Sequence, residues 1–333
     1  MLSRLLTITK PGIAGGVALS GLAGMALAAR GLPDRGTLLA CTVCIVLAAT
    51  GSAILNVVFE EKTDALMPRV SKRAEALARI GAGRAATLAI ILIASSVIAS
   101  FFLLNEVTAL LIISAVVSYT FVYTLFLKKS SPYGTVTGGI PGALPALIGY
   151  SAVTSRIGVD GFILFFVMLL WQQPHFLALA LKHRRQYAAA GIPVMPVVLG
   201  EQYTKAFIFI YATALLPLPL ALFIFGYCSV YFAVFSVSLG IFLLAFYYIQ
   251  IVRRNAYGRA FGASIFYIIA LLAAVVADLG MGLNQSCADF SGTGPTTCRP
   301  FSDRGPCVSS RLSRCQSHLR RLPESPTSPR SRP

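Results

Sequence analysis

The stretch 56–73 holds the residues whose types and spacing are best suited to chemistry. Asn56, Glu60 and Asp64 are four residues apart, so a continuous helix would place them on one face, over about 12 Å of its length. Three oxygen donors in a row suit a hard cation that keeps some water and also binds a phosphate group, which favours Mg2+ over Zn2+. The cations that follow could hold diphosphate oxygens or other anionic groups of a substrate: Arg69, Lys72 and Arg73.

The same stretch has a simpler interpretation as an ordinary polar helix end. Glu60 or Glu61 would then pair with the neighbouring Lys62, and Asp64 would be solvated. The spacing alone leaves both interpretations open.

The composition places these residues in a membrane protein. Of the 333 residues, 56% are hydrophobic and 12% charged, and the mean hydropathy is +0.75, well outside the range of ordinary globular chains. Apolar stretches of about 20 residues, long enough to cross a bilayer as helices, recur along the chain. The predicted fold class is therefore an all-α polytopic membrane protein with nine spans, near residues 12–29, 38–59, 85–104, 107–127, 134–154, 161–181, 205–226, 229–251 and 260–282.

Basic residues predict the orientation, because Lys and Arg accumulate in cytoplasmic loops. With the N-terminus in the cytoplasm, seventeen of the twenty basic residues before position 284 lie inside, so the stretch 56–73 is cytoplasmic and the C-terminus is outside. Topology and attraction to the lipid bilayer and to anionic substrate account for the positive charge, and no nucleic-acid partner is predicted. Since no targeting extension precedes the first span, a bacterial inner membrane is expected.

The fifth predicted span combines glycines with prolines. Gly134, Gly138 and Gly142 lie at four-residue spacing, and Pro141 and Pro145 lie among them. The glycines favour close approach of a neighbouring helix, whereas the prolines kink a span and free backbone groups. Both tight packing and a broken helix that lines a cavity fit this pattern.

The sixth span contains polar residues that are costly in a membrane unless they face a cavity or each other: Trp171, Gln172, Gln173 and His175. His175 is expected to line a pocket, as an acid or base or as a contact of a tetrapyrrole; the alternative is a histidine that is hydrogen-bonded between helices. The basic loop after this span is expected to close a single polar mouth together with the stretch 56–73, and it contains Lys182, His183, Arg184, Arg185 and Tyr187.

Three blocks of the chain share a pattern with a known family. They are N-x-x-x-E-x-x-x-D-x-x-M-x-R-x-x-x-R from Asn56, Y-T-L-x-L-K-x-x-x-x-Y-G-T from Tyr123, and W-Q-x-P-H-F from Trp171, followed by Y-x-x-A-G-I-P-V-x-P from Tyr187. In these blocks the chain resembles the protohaem IX farnesyltransferases, or haem O synthases, within the intramembrane aromatic prenyltransferase superfamily. The first block indicates the superfamily, whereas the second and third are specific to the haem branch.

The resemblance implies nine helices around a central cavity, with Mg2+ holding farnesyl diphosphate at the cytoplasmic mouth. It implies transfer of the farnesyl group to the 2-vinyl group of haem B, which gives haem O, and it makes haem A synthase a candidate partner. The implied ligands of Mg2+ and diphosphate are Asn56, Glu60 and Asp64, with Arg69, Lys72 and Arg73 on diphosphate or the haem propionates. Further substrate contacts are expected from Lys128, Tyr133, Lys182, Arg184, Arg185 and Tyr187, and on the haem side from His175.

Two positions depart from the family pattern. Glu60 stands where the family usually has Asp, a change that we expect to be tolerated. Gln186 stands just before Tyr187, where the family commonly has an acidic residue, so a second carboxylate-bound Mg2+ is not expected at that loop. Direct contact of diphosphate with Lys182, Arg184 or Arg185 is the hypothesis that replaces it.

Two other functions share part of the pattern. A quinone-pathway prenyltransferase with a hydroxybenzoate or naphthoate acceptor would share the first block, and a membrane transporter would also use broken helices. A transporter, however, has no need of acidic residues followed by Arg69 and Arg73 at the membrane surface.

The expected prenyltransferase domain is 1–283, and residues 284–333, rich in Ser, Pro and Arg, are expected to be a disordered tail.

Overall fold

Apolar helices account for most of the described chain. The computed structural model describes residues 2–282, except for the side chains of Leu2, Lys129 and Thr135; the tail predicted at 284–333 lies outside the described residues. Within this part of the chain, eight helical segments are long and apolar enough to cross a membrane: Pro11–Ala29, Arg35–Phe59, Ala82–Leu103, Glu106–Leu127, Val159–Lys182, Glu201–Ile224, Val230–Arg253 and Tyr257–Gly280. They match eight of the nine predicted spans, and the all-α prediction is confirmed.

The helices are numbered in chain order. They are α1 (Leu2–Thr9), α2 (Pro11–Ala29), α3 (Arg35–Phe59), α4 (Glu61–Ala65), α5 (Ser71–Ile80), α6 (Ala82–Leu103), α7 (Glu106–Val117), α8 (Lys128–Ser130), α9 (Gly134–Thr137), α10 (Ile140–Thr154), α11 (Val159–Lys182), α12 (Arg184–Ala189), α13 (Met195–Val198), α14 (Glu201–Ala214), α15 (Pro217–Ile224), α16 (Val230–Tyr247) and α17 (Tyr257–Gly280). Two π-helical segments, Ser118–Leu127 and Tyr248–Arg253, continue α7 and α16.

The fifth predicted span is divided into the short helix α9 and the helix α10. Pro141 lies in the first turn of α10, where its missing N–H costs no hydrogen bond. Side-chain amides of α11 contact backbone carbonyl groups near the break. Gln172 Nε2 donates to the Gly139 carbonyl at 2.9 Å, and Gln173 Nε2 donates to the Val136 carbonyl at 3.3 Å. The two glutamines were expected to face a cavity or each other; they bind the backbone of the broken span instead.

Helix α10 is shorter than a full span and is surrounded by protein. It packs against α2, α3, α7 and α11, and almost every residue from Pro141 to Ala152 is buried. The contact with α2 brings the two backbones together: a Cβ at Gly149 would lie 1.9 Å from the Gly21 carbonyl oxygen, and one at Gly24 would lie 2.0 Å from the Ala146 carbonyl oxygen. The fifth span therefore shows both features that the sequence left open, a break and tight packing on small residues.

Polar groups fix the helix ends on the face opposite to the stretch 56–73. Asp34 accepts a hydrogen bond from the Thr37 N–H at the start of α3, and Asn105 accepts one from the Thr108 N–H at the start of α7, each at 2.9 Å. Asn105 also donates to the Ser151 carbonyl at 2.8 Å, which links α7 to α10. The candidate site lies at the opposite ends of these helices.

Candidate active site

The three oxygen donors of the first block, Asn56, Glu60 and Asp64, lie together and are buried. Helix α3 ends at Phe59, but the i to i+4 backbone hydrogen bonds run on from Glu60 N to Asn56 O and from Asp64 N to Glu60 O, so the predicted spacing is kept. The exposed fractions are 3% for Asn56, 4% for Glu60 and 2% for Asp64. An ordinary solvated helix end is thereby excluded. We refer to these three residues as the ladder.

Ammonium groups from two other elements contact the ladder. Lys128 Nζ, at the start of α8, lies 2.5 Å from Glu60 Oε1, so Glu60 pairs across the molecule and not with Lys62. Lys10 Nζ, between α1 and α2, donates to Asn56 Oδ1 at 2.5 Å. The ladder is therefore held by charge-assisted hydrogen bonds from both sides.

Thr124 fixes the orientation of the Asn56 amide. Its hydroxyl oxygen accepts from Asn56 Nδ2 at 3.1 Å, which leaves Oδ1 as the side that faces the charged cluster. The same hydroxyl donates to the Tyr119 carbonyl five residues back at 2.8 Å, within the π-helical segment that continues α7. π-Helical segments are frequently found at functional sites, and here the segment of ten residues presents a hydroxyl to a ladder residue.

The ladder and the side chains around it are called the cluster, which consists of Asn56, Glu60, Asp64, Lys10, Arg73, Thr124 and Lys128. The pKa values of its charged groups follow from burial and from a balance of opposite charges. Burial raises the pKa of Asp64, negative Glu60 adds to this rise, and Lys128, Lys10 and Arg73 oppose it. Burial lowers the pKa of Lys10 to about 7, aided by positive Arg73 and opposed by Glu60. Burial also acts to lower the pKa of Lys128, but attraction to Glu60 and to Tyr123, together with the hydrogen bond to Glu60, raises the pKa above its ordinary value.

The ladder fits the donor set of a hard divalent cation. Asp64 Oδ2 is buried and has no hydrogen-bond partner among the described residues, so one carboxylate oxygen remains available. Such an orphaned oxygen is costly unless a ligand or water satisfies it. Within residues 2–282 no cluster of three or more His, Cys, Asp or Glu side chains is formed, so the donors here are two carboxylates and one amide.

The two loops on this face meet, as the sequence predicted. Arg69 Nη2 donates to the Tyr187 hydroxyl at 3.1 Å, and the guanidinium lies over the Tyr187 ring at 5.8 Å from its centroid. Apolar side chains of both loops and of the end of α11 form one buried cluster next to this contact: Met67, Val70, Ala180, Ile192 and Val194.

A cavity of about 110 Å³ lies next to the Lys128–Glu60 pair. Residues of the second and third blocks line it together with Leu179 and Ala180 of α11. The block residues are Tyr123, Lys128, Ser131, Pro132, Gly134, Phe176, Tyr187 and Val194. The three sequence blocks thus converge on one region, through Glu60 to Lys128, through Arg69 to Tyr187 and through this shared lining.

Two basic residues at the end of α11 and just after it have partners away from the ladder. Arg184 forms an ion pair with Glu201 at 3.4 Å, and the Lys182 side chain lies against Gly258 at the start of α17. Lys182, Arg184 and Arg185 are exposed, as is Lys72. The side-chain amide oxygen of Gln186, Oε1, is buried without a hydrogen-bond partner among the described residues. Contact of the three basic residues with diphosphate stays a prediction, and their observed contacts give it no support.

Tyr133 and His175 also lie outside the cluster around the ladder. The Tyr133 hydroxyl is 3.3 Å from the Tyr203 hydroxyl on α14. His175 stacks between Trp171 and Phe261, with ring centroids 4.9 Å and 4.3 Å away, and its Nδ1 is 2.7 Å from Ser264 Oγ. His175 therefore has the interhelical hydrogen bond that was the alternative interpretation, while its assignment to the haem side stays a prediction.

Two residues of the cluster were not predicted as site residues. In the sequence, Lys10 contributes only to the charge pattern that predicts topology, and Thr124 is one residue of the second block. The sequence did hold a signal for each: Lys10 directly precedes Pro11 at the mouth of an apolar span, and Thr124 is a hydroxyl within an apolar helix. Their partner Asn56 is 46 and 68 positions away, so no local spacing could pair them.

Comparisons with known proteins agree with this geometry. The chain is 48% identical over 255 residues to a protoheme IX farnesyltransferase of Geotalea uraniireducens, which covers 77% of this chain and 98% of the relative. It is 36% identical to a protein of the same name from Marinobacter nauticus, covering 82% of this chain and 91% of the relative.

Solved structures share the fold at low sequence identity. A digeranylgeranylglyceryl phosphate synthase matches with a TM-score of 0.68 at 16% identity, covering 84% of this chain and 99% of the other. A UbiA homologue from Archaeoglobus fulgidus, solved with GPP and Mg2+, matches with a TM-score of 0.59 at 15% identity, covering 82% and 99%. The model of the UbiA prenyltransferase family matches residues 17–270. The chain belongs to the UbiA prenyltransferase family.

Proposed function

We propose that this protein transfers the farnesyl group of farnesyl diphosphate to the 2-vinyl group of protohaem IX and so produces haem O. The relatives that share 48% and 36% of their residues with it carry the name protoheme IX farnesyltransferase. The observation that carries the proposal is the convergence of the three sequence blocks. Glu60 of the first contacts Lys128 of the second, and the cavity beside them is lined by Phe176 of the third.

The diphosphate end of the substrate is assigned to the cluster around the ladder. Lys128 and Arg73 supply positive charge next to Asp64 and Glu60, and Arg69 lies on the adjacent loop. Cations placed where negative charge develops on the departing diphosphate lower the barrier to breaking the farnesyl C–O bond. The leaving group takes the bonding electron pair, and the farnesyl carbon is left as an allylic cation.

The metal is assigned to Asn56, Glu60 and Asp64, because the buried Asp64 oxygen lacks a partner among the described residues. When bound, Mg2+ would supply Lewis-acid stabilisation of the diphosphate oxygens. The Archaeoglobus fulgidus homologue, whose solved structure holds GPP and Mg2+, supports this assignment. Thr124 would keep the Asn56 oxygen directed at the ligand through its hydrogen bond to the amide nitrogen.

The apolar interior would protect the cation from water until the acceptor reacts. Tyr119 and Tyr123, 6.0 Å apart as a stacked pair, lie on the π-helical segment beside the ladder. The terminal carbon of the haem vinyl group forms the new C–C bond, and water then adds its hydroxyl group to the other vinyl carbon and releases a proton. His175 is assigned to the haem side, where Ser264 fixes its ring.

Mass spectrometry of extracted haems tests the proposal. The protein is expressed in a membrane that lacks haem O, and the haems are compared with those of the same membrane without it. A haem with the added mass of a farnesyl group and one hydroxyl group is expected. Unchanged haem B together with a prenylated hydroxybenzoate or naphthoate would instead support a quinone-pathway prenyltransferase.

The cellular setting is part of the proposal. The spans and the predicted charge asymmetry support a multi-pass protein of the bacterial inner membrane with a cytoplasmic N-terminus. Haem O has to be consumed by a further enzyme or oxidase in the same membrane, for which haem A synthase is the candidate partner. Copurification of the two proteins from a mild detergent tests that contact.

A further inference from the structure

The His175 imidazole is held in one orientation by neighbours on α11 and α17. Its ring is stacked between Trp171 and Phe261, and its Nδ1 is 2.7 Å from Ser264 Oγ. Ser264 Oγ also donates to the Phe261 carbonyl at 2.6 Å. Because a hydroxyl has one proton, the Ser264 oxygen accepts from His175, and Nδ1 carries the ring proton. The basic lone pair of the neutral imidazole is therefore on Nε2.

The position of His175 places Nε2 deeper in the membrane than the cavity beside the ladder. Nε2 forms no hydrogen bond among the described residues, and His175 is only partly buried. The ring of Phe176, which contacts the His175 ring at 5.4 Å between centroids, lines that cavity, as does Leu179. His175 precedes Leu179 by four residues, so it lies on the same face of α11, about 6 Å further from the cytoplasmic end. A prenyl chain held by its diphosphate at the ladder would extend in this direction.

Buried oxygens behind Ser264 make this region suitable for water. Tyr247 lies close to Ser264 and to Tyr267, and neither tyrosine hydroxyl has a hydrogen-bond partner among the described residues. Gln250 Oε1, in the π-helical segment that continues α16, is a third buried oxygen without such a partner. Buried polar groups of this kind are normally satisfied by ordered water. We refer to Tyr247, Gln250, Ser264 and Tyr267 as the polar seam.

The last step of the proposed reaction needs both water and a base. Once the farnesyl carbon has bonded to the terminal vinyl carbon, the other vinyl carbon is a cation, and a lone pair of a water oxygen forms the new C–O bond. One O–H bond of that water then breaks, its electron pair stays on the oxygen, and the proton must be accepted. Imidazole is a base at neutral pH. The side chains around it are not: Trp171, Phe176, Tyr247, Phe261 and Ser264.

We propose that His175 Nε2 accepts the proton of the water that adds to the haem vinyl group, and that Ser264 is the positioning residue that keeps Nε2 free by holding the ring proton on Nδ1. The inference rests on the proposed function and deepens it, since it assigns the hydration step to one residue. The imidazolium that forms passes its proton to water at the polar seam, which restores the neutral ring.

The products of purified full-length variants test this proposal, with haem B and farnesyl diphosphate as substrates and mass spectrometry as the measurement. Wild type is expected to form the hydroxylated product. A cation that water does not capture loses a proton from the neighbouring carbon, which gives a product lighter by one water. His175→Asn keeps an N–H group for Ser264 but has no base at the position of Nε2. The ratio of hydroxylated to dehydrated product should therefore fall by at least about tenfold.

Variants of Ser264 and Trp171 separate this role from helix packing. Ser264→Ala removes the group that fixes the ring proton and should shift the product ratio in the same direction as His175→Asn. Ser264→Thr keeps the hydroxyl group and should restore the wild-type ratio. Trp171→Phe removes the other hydrogen bond between these helices, from Trp171 Nε1 to the Ser264 carbonyl at 2.7 Å, and should lower stability without changing the ratio.

Three results would overturn the proposal. They are an unchanged ratio in both His175→Asn and Ser264→Ala, an equal shift in Trp171→Phe, and loss of both products from a correctly folded His175→Asn protein, which would assign the histidine to an earlier step. A wild-type protein that forms no farnesylated haem would instead contradict the proposed function, so the two failures are distinguishable.

Discussion

At the scale of single residues, Asp64 is the ladder group on which catalysis should depend most. It is 2% exposed, and one of its oxygens has no partner among the described residues. Asp64→Asn keeps the shape but removes the negative charge, so we expect kcat/KM for haem O formation to fall by about 100-fold.

The control for Asp64 is Glu75→Gln, which makes the same chemical change at an exposed carboxylate of α5. This variant should retain the parental rate. If a correctly inserted Asp64→Asn protein formed haem O at the parental rate, the proposed catalytic role of the ladder would be wrong.

Thr124 should act on metal affinity through Asn56. Thr124→Val removes the acceptor of the Asn56 amide at nearly constant volume, so the amide is free to rotate. Loss of such a supporting hydrogen bond typically costs 10- to 100-fold in metal affinity, and we expect the Mg2+ concentration for half-maximal rate to rise by about tenfold or more. Thr154→Val also removes a hydroxyl that binds its own helix, at the far end of α10, and should leave that concentration unchanged.

The residue scale also shows what a sequence can and cannot predict. Asn56, Glu60 and Asp64 could be grouped from spacing, because an i, i+4, i+8 pattern survives the end of α3 through continued backbone hydrogen bonds. Lys10 and Thr124 could not be attached to them, since contacts across 46 and 68 positions have no periodicity. Tyr133 and His175 were quoted from motifs, and a motif does not state which helix a side chain packs against.

At the scale of elements, the close contact of α2 with α10 should determine whether the bundle forms. Gly149→Ala would place a Cβ 1.9 Å from the Gly21 carbonyl oxygen, a backbone atom that cannot move without separating the helices. Overpacking of this kind costs about 1–3 kcal/mol, so thermal unfolding in detergent should begin at a lower temperature. Gly16→Ala on α2 meets no atom within 4 Å and should be neutral or stabilising. Equal stability of the two variants would contradict the observed helix contact.

The broken fifth span shows why element boundaries were harder to predict than element types. Hydropathy predicts one continuous span at 134–154, because glycine and proline are tolerated in membrane helices. At the break, Gln172 and Gln173 donate to carbonyl groups of that segment. Both glutamines are visible in the sequence, but their partners lie on another helix, so they suggested a cavity where the structure has a backbone contact.

At the scale of the whole molecule, residues that the charge rule assigns to the same side of the membrane contact each other. Arg69 meets Tyr187 and Lys205 meets Asn255 on the predicted cytoplasmic face. On the other face, Arg30 lies over the Tyr227 ring, 4.5 Å from its centroid. The alternation of spans was thus predictable from hydropathy and charge alone, because it depends on counts of residues and not on individual contacts.

The last prediction concerns which face of the protein lies in the cytoplasm. We expect the ladder face in the cytoplasm, so that its substrate complex forms from cytoplasmic metal and diphosphate. Arg35→Cys and Lys62→Cys each place a thiol at an exposed position, on opposite faces. Cys41, Cys44 and Cys228 are buried, and Ser replaces the four cysteines of 284–333 so that a membrane-impermeant maleimide reports the introduced thiol. Position 35 should react in intact cells and position 62 only after permeabilisation. The reverse pattern would place the ladder outside, where neither the charge rule nor the supply of diphosphate substrate could be satisfied.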